Sequence, residues 1–303
     1  MKQIIKNHKT KVIIIMPILL IVILSFFAAY IINTGLSEPN SQRDNREKTA
    51  LRVFDDIKLQ AKAFKVYNIG TNRTIFSRNE MVQLPLASLT KIMSALVALD
   101  IAPRETLIDA TGLDGITHEW RLDDLLKLTL VASSNSDIST IANVLTTKFK
   151  IPGGNSGFIT LMNRKARELN LNQTFFINES GLDVNKNFAG SYGSVNDVVK
   201  LLNFAIKKNP DIFGSTRFHV LNIMSMDGVP ESVNNTNTSV SKIQGIIASK
   251  TGLTDLAGGN LAIAFDVDKT NRIIIAVLGS TQEGRFADVQ TLSSTTLDYF
   301  SKI

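Results

Sequence analysis

Ser88 and Lys91 stand three residues apart in an apolar run, residues 84–99, that reads as a helix. Positions i and i+3 share a helix face, so the spacing sets a hydroxyl beside an amine one turn on. A serine becomes a useful nucleophile when a neighbouring base takes its proton. A lysine is that base only if burial or a nearby cation lowers its pKa, and Leu89, Ile92, Met93 and Leu96 supply an apolar setting. The same tetrapeptide also fits a helix-capping serine with a surface lysine. Two other stretches bear on the choice. Ala132-Ser133-Ser134-Asn135-Ser136 breaks an apolar helix into polar side chains, as a cleft wall or a serine-rich helix end would. Ala248-Ser249-Lys250-Thr251-Gly252-Leu253 lies ahead of a strand pair. There it either sets an ammonium and a hydroxyl over a groove, with a glycine admitting a substrate backbone, or simply ends a strand in a turn.

Other chemistries lack their residues. The chain has no cysteine, which excludes thiol catalysis, disulfides and thiolate metal sites. Its three histidines, His8, His118 and His219, form no metal-spaced pair. No Gly-x-Ser-x-Gly, Gly-x-Gly-x-x-Gly or Walker A sequence occurs. No cofactor or metal is therefore expected, and lysine is the natural base for Ser88.

The elements that must position these groups follow from hydrophobic pattern. With 303 residues, 44% of them hydrophobic, the chain can build one large domain or two small ones. Ala63–Tyr67 and Thr74–Ser77 read as a hairpin about Gly70. Residues 102–202 read as mostly helical, with apolar faces at 122–130, 138–145, 158–169 and 195–206, and a glycine- and asparagine-rich loop at 178–193. Residues 245–248, 260–266 and 272–279 read as strands and 288–300 as a closing helix. Strands at both ends and helices between predict an α+β fold: an antiparallel sheet flanked by helices, with an inserted all-α subdomain.

The N-terminus speaks to location. Lys2, Lys6, Lys9 and Lys11 precede residues 12–32, which carry no charge. Such a length spans a bilayer core of about 30 Å, and the basic flank belongs on the cytoplasmic side. We expect residues 1–11 as a cytoplasmic flank, 12–32 as one retained transmembrane helix, 33–50 as a flexible linker and 51–303 as the catalytic domain outside the cell membrane. A cleaved signal peptide is the less suited reading, because Phe26, Phe27 and Tyr30 crowd Ala28 and Ala29. The net charge of +6 owes four lysines to the flank; beyond it 29 basic residues face 27 acidic ones. That balance offers no nucleic-acid footprint.

The ordered set Ser88-x-x-Lys91, Ser133-x-Asn135 and Lys250-Thr251-Gly252 resembles the penicillin-binding protein and serine β-lactamase superfamily. Pro85-x-Ala-Ser-Leu-Thr-Lys-Ile-Met, Asn178-x-x-Gly181-Leu182 and Lys250-Thr251-Gly252-x-Thr-Asp-x-Ala-Gly-Gly259-Asn260 are similar to the low-molecular-mass D-alanyl-D-alanine carboxypeptidases. The resemblance covers roughly residues 55–303. It implies a β-lactamase/transpeptidase-like fold and a peptidoglycan stem peptide as substrate, with β-lactams as covalent inhibitors. It also implies roles. Ser88 attacks the D-Ala-D-Ala amide and Lys91 takes its proton. Ser133 and Lys250 relay a proton to the leaving D-alanine, and Asn135 holds the substrate amide. Thr251 and Lys250 receive the terminal carboxylate, and the N–H groups of Ser88 and Leu253 form the oxyanion hole beside Gly252. Arg285 is a further carboxylate candidate or a surface arginine. Ser134, Ser136 and Ser249 depart from the usual family residues. D,D-endopeptidase action on crosslinks, a β-lactam-sensing domain and a β-lactamase using Glu179 are the alternatives.

Overall fold

Ile273, Ile275 and Val277 are buried in one apolar cluster, and Ile274, Ala276 and Leu278 in another. Alternate strand residues point to opposite faces, so a strand buried in both clusters lies in a sheet covered on both sides. The computed structural model of the chain describes residues 24–26 and 40–303. The expected anchor at 12–32 lies outside the described residues apart from 24–26. Among the described residues no helix is long and apolar enough to cross a membrane.

The described residues up to 52, with 302–303, and residues 53–301 are two compact units. In the first, helix α1 (Asn40–Leu51) stands where a flexible linker is expected. Its sequence holds Gln, Arg, Glu, Lys, Ala and Leu and neither Gly nor Pro, which favours helix over coil.

The second unit opens with β1 (Ala63–Asn68), β2 (Arg73–Arg78) and the short β3 (Leu84–Pro85), then helix α2 (Thr90–Ile101). A hairpin of β4 (Leu107–Thr111) and β5 (Thr117–Arg121) leads to α3 (Leu122–Ala132), α4 (Asn135–Lys148) and α5 (Asn155–Glu168). Short strands β6 (Phe175–Phe176) and β7 (Ser191–Gly193) precede α6 (Val195–Lys208) and α7 (Pro210–Gly214). A second hairpin, β8 (Val220–Met224) and β9 (Pro230–Asn234), is followed by β10 (Ile246–Thr254), β11 (Gly258–Asp266) and β12 (Arg272–Ser280), and α8 (Gly284–Lys302) closes the chain.

The main sheet is antiparallel in the order β10-β11-β12-β1-β2, so the first and last parts of the sequence share it. One face carries Phe64, Val66, Leu261 and Ile263 against Phe286, Val289 and Leu292 of α8. The other carries Ala63, Ala262, Ala264 and Ala276. Side chains this small let the helices approach closely, and α2 is buried from Thr90 through Ala98. A helix buried on all sides belongs in the middle of a core.

The expected α+β architecture with a helical insertion is present. Two features differ. The insertion begins with the β4–β5 hairpin rather than a helix, because both strands alternate buried and exposed residues, a period of two. The β8–β9 hairpin was not expected either; its strands are mostly exposed on alternate positions, and the apolar signal is correspondingly thin.

Candidate active site

Strand β3 feeds a 3₁₀ turn, Ala87–Leu89, that continues directly into α2. Ser88 lies in this turn, which has no side-chain cap at its start, and Lys91 is fully buried. Both observations remove the reading of a capping serine with a surface lysine. Ala87 is held at φ 49°, in the left-handed region. Such strain costs roughly 1–3 kcal/mol and persists where the surroundings impose it.

The Lys91 amine donates to Ser88 Oγ at 2.8 Å, Asn135 Oδ1 at 2.6 Å and the Ser180 carbonyl at 3.0 Å. Burial lowers its pKa to about 7, while the charge of Glu179 opposes the fall. A protonated amine has three N–H donors, one for each partner. A neutral amine has two, which the two carbonyl acceptors satisfy, so its lone pair is left facing Ser88. The Glu179 carboxylate accepts from Ser139 and stands apart from this chain of contacts.

Ser133 and Asn135 lie in the junction between α3 and α4, not at the end of a single helix. Ser133 takes φ 57° as the C-cap of α3. Ser134 then turns the chain and caps α4, its hydroxyl accepting from Asp137 N–H at 3.2 Å. This capping bond is the local role of the Ser134 side chain. Across the cleft, Lys250 Nζ donates to Ser133 Oγ at 2.7 Å. Complete burial pushes the Lys250 pKa well down, and the charges of Lys91 and Arg285 push it further.

Lys250, Thr251 and Gly252 sit in the middle of β10, not at its end, and all three are buried. A Cβ on Gly252 would stand 2.9 Å from the Leu86 carbonyl, so its absence lets the strand close on the turn that carries Ser88. Leu253 follows with an exposed side chain. Ser249 is turned away from the cleft chemistry, tied through its backbone and hydroxyl to Thr216. Arg285, on α8, is 7% exposed and so is no surface arginine. Its Nη1 donates to the Gly252 carbonyl at 2.7 Å, and its Nε is buried with no partner.

The motif loop 178–183 is the part whose work spacing did not reveal. Asn178 Oδ1 accepts from Gly181 N–H at 2.7 Å, folding the loop so that the Ser180 carbonyl meets Lys91. Asp183 accepts from Thr254 Oγ1 at 2.9 Å and Leu256 N–H at 3.1 Å, which ties the loop to the β10–β11 turn. Asn260, fully buried, bridges the Pro85 carbonyl and Gly279 N–H. Asn178, Gly181 and Asn260 were visible as family-like residues; the Ser180 carbonyl carries no side-chain signal at all.

The sequence matches the model of peptidase family S11, described as D-alanyl-D-alanine carboxypeptidase, over residues 115–282. The D-alanyl-D-alanine endopeptidase of Escherichia coli (strain K12) is 28% identical over 241 residues, covering 75% of this chain and 74% of that protein. The D-alanyl-D-alanine carboxypeptidase DacD of Salmonella typhimurium is 28% identical over 249 residues, covering 75% of this chain and 60% of that one. Penicillin-Binding Protein D2 from Listeria monocytogenes, solved in a cefotaxime-bound form, superimposes with a TM-score of 0.67 at 26% identity, covering 79% of this chain and 98% of the other. The matched span holds Ser133, Asn135 and Lys250, and the fold brings it onto Ser88 and Lys91, which precede it. The chain is a member of peptidase family S11, the D-alanyl-D-alanine carboxypeptidases.

Proposed function

We propose that the protein is a serine D,D-peptidase that removes the terminal D-alanine from peptidoglycan stem peptides. The observation that carries this is the buried Lys91 amine, 2.8 Å from Ser88 Oγ, with its other two contacts on carbonyl oxygens. In its neutral form Lys91 takes the Ser88 proton as Oγ attacks the penultimate carbonyl carbon. The oxyanion sits on the N–H groups of Ser88 and Leu253, a donor pair of the kind worth ~10²–10³ in rate. The C–N bond then breaks, and the leaving D-alanine nitrogen takes a proton through Ser133, which Lys250 faces. The proton that Lys91 took from Ser88 replaces the one Ser133 gives up, so Lys91 is neutral again when water attacks the acyl-Ser88 ester. Lys91 takes the proton that water releases and returns it to Ser88 Oγ as the ester C–O bond breaks. Asn135 holds the substrate amide, while Thr251, Lys250 and Arg285 receive the terminal carboxylate.

β-Lactams, whose ring carbonyl stands in for the scissile amide, are the matching covalent inhibitors; the cefotaxime-bound Listeria protein supports this. A second reading is D,D-endopeptidase action on crosslinks, supported by the Escherichia coli relative's name. Residues 12–32 are proposed as the anchor that holds residues 51–303 on the outer side of the cell membrane, from the uncharged span behind four lysines.

The test is mass spectrometry of a D-Ala-D-Ala pentapeptide after incubation with the full chain and with Ser88→Ala. The parent is expected to release D-alanine and to carry a fluorescent penicillin on Ser88. Labelling of Ser88→Ala at the parent level would overturn the assignment.

A further inference from the structure

The hydroxyl of Thr236 lies 2.6 Å from that of Thr251. Thr236 follows strand β9, and its N–H donates to the Val131 carbonyl in the last turn of α3 at 3.2 Å. The residue before it, Asn235, is buried and donates to the carbonyls of Thr216 at 2.7 Å and Phe218 at 2.9 Å. Thr236 is thus held from both sides and presents its hydroxyl to one residue of the Lys250-Thr251-Gly252 segment.

Two hydroxyls in contact share one proton, and each then has a choice for the other. The alternative acceptor for Thr236 is the Val131 carbonyl, 3.5 Å away at the limit of a hydrogen bond. The Thr236 proton therefore belongs on the 2.6 Å contact. Thr251 becomes the acceptor in that contact, and its own proton is released toward a ligand. A carboxylate accepts hydrogen bonds only, so it suits a Thr251 that is held as a donor. A C-terminal carboxamide presents an NH₂ as well and suits it less. Lys250 stands beside it, its pKa pushed well down by burial and by the charges of Lys91 and Arg285.

We propose that Thr236 is a positioning residue for the substrate's C-terminal carboxylate, acting by holding the Thr251 hydroxyl as a donor. This rests on the D,D-peptidase reading above. It assigns Thr236 part of the preference for a free carboxyl terminus, which none of the three motifs contains.

The experiment compares two peptides with the full chain, one ending in D-Ala-D-Ala and one in the same sequence as its C-terminal amide. Thr236→Val should lower kcat/KM on the acid by about 10–100-fold, chiefly through KM, and change the amide by less than about 3-fold. Thr236→Ser, which keeps the hydroxyl, should restore the preference. Thr236→Ala serves if the valine variant fails to fold. Equal losses on acid and amide, or no loss on the acid, would overturn the proposal. A parent enzyme that turns over both peptides equally well would refute the carboxylate role and leave the D,D-peptidase reading standing. A parent that cleaves neither would remove that reading, and this one with it.

Discussion

Gly181 packs against the backbone carbonyl of Ala87, the residue before Ser88, with no room for a side chain between them. Gly181 itself is at φ 81° and Ala87 at φ 49°. The residue before Gly181 supplies the carbonyl that takes one N–H of Lys91. One loop therefore bears on both members of the Ser88–Lys91 pair. Gly181→Ala combines a collision with an unfavourable backbone and should cost about 1–3 kcal/mol of stability. It should also slow penicillin labelling of Ser88 at least ~10-fold in the protein that remains folded. Thermal melts and labelling time courses check both; labelling at the parent rate would show that the loop does not position Ser88.

The burial of Lys91 makes a pH prediction. Its pKa is lowered to about 7, so the neutral base is gained as pH rises through that value. Acylation by a fluorescent penicillin should increase about tenfold per unit below pH 7 and level off above it. Lys91→Ala should lose several orders of magnitude together with that limb of the profile. A flat profile between about pH 5 and 9 would mean another group takes the proton.

Arg285 has one amino group on the Gly252 carbonyl and a buried Nε without a partner. If its charge serves the carboxylate, Arg285→Met should raise KM for the D-Ala-D-Ala peptide about 10–100-fold and lower kcat little. An unchanged KM with a lower melting temperature would assign Arg285 to support of β10 alone.

His118 joins the tips of the two hairpins. Its ring nitrogens lie 2.6 Å from Asp227 and 2.9 Å from Asp114, and the Met226 N–H donates to the Glu119 carbonyl beside them. The hydrogen bonds to Asp227 and then Asp114 raise the His118 pKa. A raised pKa means the contact is fully present below the unfolded value near 6.5 and is lost as pH rises through the folded one. The stability gap between the parent and His118→Gln should therefore be larger near pH 5.5 than near pH 9. Denaturant melts at both values check this; an equal gap would show that folding leaves the His118 pKa unchanged.

Local geometry accounts for what the sequence could reveal. The three-residue spacing of Ser88 and Lys91 fixes their proximity wherever the segment is helical, because it depends on one turn of backbone. The sheet strands were legible for a similar reason: a strand buried on both faces is apolar throughout, as at Ile273 to Leu278. The helix break at Ser133–Asn135 was legible as a change of pattern. That it is a junction between two helices, with Ser134 as the cap of the second, was not, since the capping bond depends on where α4 begins.

The sequence by itself determined which groups are present and which neighbours along the chain share a face. It also determined the order of strands and helices that makes an α+β fold. Only the tertiary structure decided what those groups can do. The Lys91 pKa falls to about 7 through burial, which comes from packing α2 inside the core. Lys250 meets Ser133 from 117 positions away, and Thr236 reaches Thr251 from the loop after β9. Whether Arg285 lies at the surface or under β10 depends on how α8 lies on the sheet. Desolvation and contacts between distant residues arise from the whole fold, and no local pattern of residue types encodes them.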